Sequence, residues 1–548
     1  MHKIELFKDY ENAKLDTVEE YRLRHKDATY RFEDICKKEI DGIPICVTKD
    51  KSGKLDVTFI PDSHVLAIGA TRSGKTTGYV IPTLNILMKK KNKPNLVISD
   101  PKQELYSNYA EQFRQEGYDI KLLDFTNYSV SDCWNPLTKI FREYQKQFDV
   151  PELITRKRGL KKFFEFNGTE YDSYDDAEAA IREYKTACLD EAEKDLTSLC
   201  NMVVPVSPAT KDPFWDCSAR DLLHAILLGM LEDSGYDGDI TEDNFSFDTV
   251  LRIFDSFSDS VSDVYDKGFF TNRSHQSKAY QLAGKCILEQ AKNTRLCISS
   301  SFAAAISKFR DISIRRVTCT NTIDFETLDE GDRPTVIFLS YKDEESLHYE
   351  IISLFLSDLY TALIGVARKK NSKLDTPFYF LLDEFGNLPR FEDFDKVISA
   401  CGGRNIWFLL ILQSYAQLNN VYGRETADII KDNLNVHIFF GTNNPQTKRD
   451  FSEECGHKTV ISPISALNGK GESIVSYDKD TVALVPVSAL NHIAPGECII
   501  TQMRENVLWS RIERSYNCPE FAPCGKKSEL SSNKVVFSDP KYRYEIPQ

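Results

Sequence analysis

Residues 69–76 read Gly-Ala-Thr-Arg-Ser-Gly-Lys-Thr, which matches the pattern G-x-x-x-x-G-K-[ST] at every fixed position. Glycines in such a loop let the backbone turn its N–H groups towards phosphate oxygens, and the helix that follows adds the positive end of its dipole. Lys75 would reach the β- and γ-phosphates, and Thr76 would ligate Mg²⁺. The predicted ATP-binding residues are Gly69, Ala70, Thr71, Arg72, Ser73, Gly74, Lys75, Thr76 and Thr77.

The sequence around this loop alternates between strand and helix patterns. A short apolar run, His64–Ile68, precedes the loop and is typical of a buried strand, and a helical stretch runs from Thr77 to about Lys90. Two more buried strands are predicted at Asn95–Asp100 and Ile120–Asp124, with the helix Tyr106–Glu116 between them. This spacing indicates βαβ units and a parallel sheet with helices on both faces.

The middle of the chain interrupts that alternation. From about residue 139 to residue 318 the patterns are mostly helical, as in Phe214–Glu232, which places apolar residues on one helical face. Strands resume at Thr335–Ser340, Phe378–Leu382, Ile406–Leu412 and Val436–Phe440. We therefore predict an α/β fold with a parallel central sheet and an inserted all-α domain. The expected division is an N-terminal extension (1–60), the nucleotide-binding domain (61–144 and 319–515), the insertion (145–318) and a C-terminal tail (516–548).

A pair of carboxylates follows the strand Phe378–Leu382. Asp383 would hold Mg²⁺, and Glu384 would polarise the attacking water. Asp100 also ends an apolar strand, but Pro101 and Lys102 follow it and no second carboxylate is present. We prefer the pair at 383 and 384 as the acidic site. A simple turn at a strand end is the alternative interpretation.

Two polar residues flank the strand predicted at Ile406–Leu412. Gln413 follows the strand, where its amide would contact the γ-phosphate and report hydrolysis to the rest of the protein. Arg404 precedes the strand, and an arginine that reaches a neighbouring subunit's γ-phosphate would stabilise charge in the transition state. A surface loop residue remains the alternative for Gln413, and a surface or packing residue the alternative for Arg404. The predicted catalytic residues are Glu384, Lys75, Gln413 and Arg404.

The composition, 41% hydrophobic and 28% charged over 548 residues, is that of a soluble globular protein with roughly two to four domains. A net charge of −14 argues against a surface that is basic all over. Uninterrupted apolar runs are much shorter than the roughly 18 to 20 residues that cross a bilayer, and the N-terminus lacks the apolar stretch of a secretory signal. The 14 cysteines include no C-x-x-C pair, which favours reduced thiols over a metal site. We expect a cytoplasmic protein, with a peripheral link to the membrane through a partner left open.

An ordered set of motifs accompanies the phosphate loop. The set is Ser99-Asp-Pro-Lys-Gln-Glu-Leu105, Trp134-Asn-Pro-Leu137, Asp212-Pro-Phe-Trp215, Leu381-Leu-Asp-Glu-Phe-Gly386 and Leu412-Gln-Ser414. Together with residues 69–77, these motifs resemble the type IV coupling proteins of conjugation and type IV secretion, the TraG-type DNA-transfer ATPases. The resemblance covers the chain from about residue 60 to residue 515.

The resemblance implies a RecA-like P-loop motor domain that uses ATP and Mg²⁺, assembles as a hexameric ring and hydrolyses ATP faster with DNA. The implied partners are a relaxase or relaxosome, single-stranded DNA, components of a type IV secretion channel and a separate membrane anchor protein. By this resemblance the roles of Lys75, Thr76, Asp383, Glu384 and Gln413 carry over directly.

The chain departs from the family pattern at two places. Typical members begin with transmembrane helices, and this sequence has none, which suggests a soluble variant with a membrane partner or a truncated form. The family arginine before the glutamine-bearing strand falls at Gly402, two residues before Arg404.

Two alternatives belong to other functional classes. One is a nucleotide-regulated adaptor that recruits secreted proteins through the helical insertion. The other is a ring motor of the FtsK or HerA kind that moves double-stranded DNA, against which the Asp212–Trp215 motif and the large insertion argue.

Overall fold

The structure is a computed structural model that describes residues 13–158, 161–206, 212–235, 239–257, 268–342, 346–391, 393–467, 473–511 and 513–523. The strands are β1 (Leu15–Asp16), β2 (Thr29–Arg31), β3 (Ile43–Lys49), β4 (Leu55–Ile60), β5 (Val65–Ile68), β6 (Asn95–Asp100), β7 (Asp119–Asp124), β8 (Ile154–Arg158), β9 (Lys161–Phe166), β10 (Thr169–Tyr171), β11 (Thr335–Ser340), β12 (Phe378–Leu382), β13 (Ile406–Leu412), β14 (Val436–Phe439), β15 (His457–Leu467), β16 (Ser473–Ala483), β17 (Glu497–Gln502) and β18 (Val507–Arg511). The α-helices are α1 (Val18–Arg24), α2 (Ile81–Lys89), α3 (Glu104–Gln115), α4 (Thr138–Gln145), α5 (Tyr174–Val203), α6 (Phe214–Glu232), α7 (Phe247–Phe257), α8 (Lys278–Ala283), α9 (Lys292–Ile306), α10 (Ile312–Val317), α11 (Ser346–Lys369), α12 (Phe394–Cys401), α13 (Tyr415–Tyr422), α14 (Arg424–Asn433), α15 (Pro445–Glu454) and α16 (Val487–Leu490).

A ten-stranded sheet forms the centre of the fold, in the order β1-β18-β17-β14-β5-β13-β12-β6-β11-β7. The strands from β14 through β5, β13, β12 and β6 to β11 pair in parallel. Every residue of β5, β6, β11 and β12 is buried, as expected for parallel strands covered on both faces. The predicted α/β fold with a parallel central sheet is confirmed. Since β13 lies between β5 and β12, the acidic strand is the second neighbour of the phosphate-loop strand, not the first.

The chain divides into two compact units. Among the described residues, one unit comprises those up to Leu122, Phe325–Ser353 and those from Leu359 onward, and the other comprises Leu123–Asp324 and Leu354–Asp358. The predicted start of the insertion at residue 145 therefore lies within the second unit, and its predicted end at residue 318 lies close to that unit's boundary.

The second unit is mainly helical but also contains a small antiparallel sheet in the order β10-β9-β8. We did not predict these strands, because basic residues dominate β8 and the start of β9 and hide the alternation expected of a strand. The sheet packs on α5 through aromatic side chains: the ring centroids of Phe166 and Tyr184 lie 5.8 Å apart, and those of Phe164 and Tyr174 lie 5.6 Å apart. The second unit is thus an α-helical body with a three-stranded antiparallel sheet, and not all-α as predicted for the insertion.

A second unexpected feature is the long hairpin of β15 and β16, which pair in antiparallel register from His457 opposite Ala483 to Leu467 opposite Ser473. The sequence there is rich in serine, glycine and lysine, and we predicted no strand in it. Pairing between the two strands outweighs these weak local propensities.

Helix α11 is long and apolar enough, by length and composition, to cross a membrane, although most of that stretch is buried inside the fold. Apolar residues there are interspersed with polar ones, so a search for uninterrupted apolar runs did not mark this helix as a candidate membrane span. Such a buried helix is typical of the interior of an α/β protein.

The N-terminal segment forms a three-stranded sheet in the order β2-β4-β3, and this sheet supports the C-terminal end of the described chain. Val57 and Phe59 of β4 belong to an apolar cluster that also contains Cys518 and Phe521. The rings of Phe32 and Phe521 meet edge to face, with centroids 5.4 Å apart. Residues 29–60 therefore pack against the C-terminal segment of the described chain.

Replacement of Phe521 by alanine should release this C-terminal segment. The side chain is fully buried, and truncation of such a ring typically costs about 3–5 kcal/mol. We expect faster amide hydrogen exchange in residues 513–523, with exchange in β5, β12 and β13 unchanged. Tyr516→Ala is the matched control, because that ring is 71% exposed. Wild-type exchange rates in the Phe521→Ala variant would contradict this account.

Candidate nucleotide-binding site

The phosphate loop leaves the end of β5 and is fixed by the two strands beside it. The N–H of Gly69 donates to the carbonyl of Leu412 at the end of β13 (3.0 Å), and the N–H of Ala70 donates to the carbonyl of Gly441 after β14 (2.8 Å). Gly74 has a φ of +101°, a region that favours glycine. A helical turn begins directly at Thr76 and continues into α2. The positive end of a helix therefore meets the loop, as anion binding requires.

Lys75 is buried inside the loop. Its Nζ donates to the carbonyl of Gly69 (2.7 Å) and lies 3.8 Å from Oε1 of Glu384. Burial lowers the pKa of Lys75, while the negative charges of Glu384 and Asp383 act in the opposite direction. The structure thus places the predicted phosphate-binding ammonium beside the predicted catalytic carboxylate.

The carboxylate pair follows β12 at the same edge of the sheet. Oδ1 of Asp383 accepts the N–H of Glu384 (3.0 Å), and the hydroxyl of Ser99 at the end of β6 donates to the carbonyl of Asp383 (2.8 Å). Burial raises the pKa of Asp383, and Lys75 opposes this shift. Glu384 has a φ of +54°, which is uncommon for a residue with a side chain and is typical of functional sites.

Gln413 joins the end of β13 to the catalytic carboxylate. Its Nε2 donates to Oε2 of Glu384 (3.0 Å). Its own backbone is held at both ends, since its N–H donates to Oε1 of Gln417 (2.8 Å) and its carbonyl accepts from the hydroxyl of Thr442 (2.9 Å). Lys75, Glu384 and Gln413, which were predicted from three separate motifs, therefore form one contiguous group.

Asp100 serves a different purpose from the carboxylate pair. Its Oδ2 accepts the N–H of Tyr106 (2.8 Å), and further backbone N–H groups at the start of α3 also contact it. Burial raises the pKa of Asp100 to about 6 despite these hydrogen bonds. The residue caps a helix, which supports the choice of residues 383 and 384 as the acidic site.

The residues at this edge fit a magnesium ion bound together with a nucleotide. Mg²⁺ is usually held by one or two protein oxygens, with phosphates and waters completing the shell. Thr76 offers a hydroxyl, and Asp383 offers a carboxylate whose oxygens form no ion pair within the described part of the chain. In that part of the chain, no group of three or more histidine, cysteine or acidic residues is arranged to hold a metal ion. The phosphates and waters would supply the remaining ligands.

Arg404 lies away from this group. It precedes β13, whereas Gln413 follows it, and seven residues of strand at about 3.3 Å each separate the two by roughly 20 Å. Its Nη1 donates to the carbonyl of Ala400 (3.3 Å). Arg404 therefore does not contact the nucleotide site of its own chain, and its action on a neighbouring subunit stays a prediction.

Sequence reasoning missed several residues of the site. Ser99 also exchanges a hydrogen bond with the hydroxyl of Tyr341 (2.8 Å), and Lys102 contributes positive charge near Asp383. Arg514 lies on the phosphate loop from the C-terminal segment. Ser99 and Lys102 belong to the motif that starts at residue 99 and could have been considered, whereas no local pattern marks Tyr341 or Arg514.

The phosphate loop, the carboxylate pair and the glutamine at the ends of parallel strands define a RecA-like P-loop NTPase. The family model described as "Type IV secretory system Conjugative DNA transfer" matches residues 13–476. Since this match covers most of the sequence, the chain belongs to that family.

Individual relatives are distant. The chain is 22% identical over 510 residues to the conjugal transfer protein TraG of Escherichia coli, and the match covers 88% of this chain and 69% of that protein. A second TraG protein of Escherichia coli is 22% identical over 456 residues, which covers 79% of this chain and 61% of that protein. Protein VirD4 of Agrobacterium fabrum is 23% identical over 407 residues, which covers 72% of this chain and 50% of that protein. The chain therefore spans about half to two thirds of the length of these relatives.

Solved structures of the bacterial conjugative coupling protein TrwB have the same fold. The trigonal form in complex with sulphate superposes with a TM-score of 0.56 at 13% identity and covers 88% of this chain and 94% of that chain. The complex of TrwB with a non-hydrolysable ATP analogue gives a TM-score of 0.55 at 13% identity and covers 84% of this chain and 88% of that chain.

Replacement of Glu384 by glutamine should stop hydrolysis without loss of nucleotide binding. The amide keeps the size of the side chain but cannot take up a proton from the attacking water, so we expect turnover to fall by roughly 100-fold or more. Binding of a fluorescent ATP analogue and release of phosphate are the two measurements. Lys75→Ala is the contrasting control and should lose both. A Glu384→Gln variant with wild-type turnover would refute the assignment of the base.

Replacement of Gln413 by alanine removes the donor that holds Glu384. We expect about a 10-fold loss of turnover, because the carboxylate loses one charge-assisted hydrogen bond, and unchanged affinity for ADP. Gln417→Ala removes the side-chain acceptor of the Gln413 N–H. This variant tests whether the position of the Gln413 backbone affects turnover when the Gln413 side chain is unchanged. Equal turnover in wild type and Gln413→Ala would show that this hydrogen bond does not support hydrolysis.

Proposed function

We propose that this chain is a type IV coupling ATPase. It binds a relaxase–DNA or protein cargo and uses ATP hydrolysis to deliver single-stranded DNA to a conjugative secretion channel. The observation that carries the proposal is the contiguous group of Lys75, Glu384 and Gln413 in a chain of the conjugative DNA transfer family.

The residues of this group have separate roles in hydrolysis. The loop N–H groups and Lys75 bind the phosphates and neutralise their charge, Glu384 orients and polarises the attacking water, and Gln413 fixes the Glu384 carboxylate. Thr76 and Asp383 would hold Mg²⁺. The ion, when it is bound with the nucleotide, neutralises charge on the β- and γ-phosphates.

Gln413 also offers a route from hydrolysis to movement. Its side chain contacts Glu384, while its backbone is held by Gln417 of α13 and by Thr442, which follows β14. A change at the γ-phosphate that moves the Glu384 side chain would therefore be transmitted to two further elements of the motor.

We infer that the working form is a homo-hexameric ring, as the resemblance to coupling proteins implies. Arg404 lies at the sheet edge opposite the site of its own chain, so in a ring it would act on the nucleotide of an adjacent subunit. The second unit contains the whole of the predicted insertion, and we assign cargo recognition to it.

The proposed location is the cytoplasm, peripherally at the inner face of the cell membrane. A separate anchor protein would hold the motor beside the other components of the secretion channel. This assignment follows from the family and from the ordinary globular composition of the chain.

The decisive experiment measures ATP turnover with and without single-stranded DNA, for wild type and Lys75→Ala, with particle size recorded in parallel. We expect DNA to raise turnover several-fold, Lys75→Ala to abolish it, and rings to form with nucleotide and DNA. These three results together define a DNA motor.

Two other outcomes would contradict the proposal. Turnover that requires Lys75 but ignores DNA, in a particle that stays monomeric, would favour a recruitment adaptor. Stronger stimulation by duplex than by single-stranded DNA would favour a motor of the FtsK or HerA kind.

A further inference from the structure

Arg514 lies directly against the phosphate loop. Its guanidinium occupies the space where a side chain on Gly74 would begin: a Cβ built there would approach the guanidinium atoms to 2.6–2.8 Å. Its Nη2 donates to the carbonyl of Ser73 (3.3 Å), and its Nη1 donates to the hydroxyl of Thr77 (3.4 Å). A residue some 440 positions away in sequence therefore hydrogen-bonds to Ser73 and Thr77 and lies against Gly74 between them.

The charge of Arg514 has no carboxylate partner within 4 Å among the residues that the structure describes. The two hydrogen bonds above use only two of the five N–H donors of a guanidinium. Arginine presents these donors in a planar fork that matches phosphate oxygens, and the remaining ones are available at the loop. The group therefore has the chemistry of an anion ligand.

The segment that carries Arg514 is anchored, so its position is defined. The short turn Ser515–Asn517 packs against the helical turn that follows the loop. Lys49 donates to the carbonyl of Asn517 (2.7 Å), and the hydroxyl of Tyr109 donates to the carbonyl of Phe521 (3.0 Å). These contacts come from β3 and α3, which fix the segment from two sides.

The contacts of Arg514 place it at a different part of the loop from Glu384. Arg514 meets the loop at Ser73, Gly74 and Thr77, whereas Glu384 faces Lys75. Backbone N–H groups of such a loop cradle the α- and β-phosphates, and the lysine extends to the β- and γ-phosphates. Arg514 lies beside this loop backbone, next to the residues that would cradle the phosphates common to ADP and ATP.

We propose that Arg514 is a second cationic ligand of the nucleotide, which the C-terminal segment supplies to the α- and β-phosphates in the same chain. This inference rests on ATP binding at the loop and not on DNA transport. It distinguishes Arg514 from Lys75, which extends to the γ-phosphate, and from Glu384, which acts on the attacking water. Because the α- and β-phosphates remain after hydrolysis, Arg514 would hold ADP as firmly as ATP.

The test is isothermal titration of the full chain with ADP and with a non-hydrolysable ATP analogue, each with Mg²⁺ and without DNA. For Arg514→Ala we expect both affinities to fall by about 10-fold or more, the loss expected for a charge-assisted hydrogen bond, and by similar factors. Arg114→Ala is the control, since it removes an exposed arginine of α3 that pairs with Glu111. This control should bind both nucleotides as wild type does.

Two further variants separate phosphate binding from support of the loop. Arg514→Gln can still donate to Ser73 and Thr77 but has no charge, whereas Arg514→Lys keeps the charge. We expect lysine to retain more affinity than glutamine, and glutamine to resemble alanine. Wild-type affinity in Arg514→Gln, tighter binding in Arg514→Ala, or a loss confined to the ATP analogue would each overturn the proposal. Because no DNA is present, failure of the DNA-transport function would leave these results unaffected.

Discussion

The hydrogen bond between Gln413 and Glu384 is the interaction on which the active arrangement depends. Three parallel strands, β5, β13 and β12, end at one edge of the sheet and deliver Lys75, Gln413 and Glu384 to the same place. The middle strand carries the amide, so the amide lies between the phosphate loop and the carboxylate pair. The order of the strands therefore determines which side chain meets Glu384. Because the strands are parallel, Lys75, Gln413 and Glu384 lie at the same edge of the sheet. Local sequence alone defines none of these distances.

Much of this arrangement could be predicted because its signals are local. A glycine-rich loop after a buried strand, or a carboxylate pair after another, is recognisable within about ten residues. Such patterns predicted Lys75, Asp383 and Glu384, and since parallel strands share an edge, they also predicted that these residues would meet. The order of the strands was harder to predict, because every candidate neighbour of β5 is a similar buried apolar run.

The features that sequence reasoning missed depend on long-range packing. The β8–β9 hairpin has basic residues where a strand would show alternation, and its stability comes from aromatic packing on α5. The hairpin of β15 and β16 depends on cross-strand pairing. Arg514 belongs to a polar segment with no recognisable motif, and its contact with the loop follows only from the fold. Arg404 lies at the edge of the sheet away from the site of its own chain, and its predicted action on a neighbouring subunit depends on an assembly that local sequence does not define.

The N-terminal and C-terminal segments of the described chain pack against each other. β1 pairs in parallel with β18, with Leu15 opposite Val507, and the sheet of β2, β4 and β3 buries Phe521 and Cys518. Arg514 lies between these two anchors, β18 on one side and the buried phenylalanine on the other. The N-terminal segment, for which the sequence indicated no role, thus fixes the C-terminal segment at the loop. The proposed contact of Arg514 with nucleotide therefore depends on packing between the N-terminal sheet and the C-terminal segment, outside the phosphate-loop and carboxylate motifs.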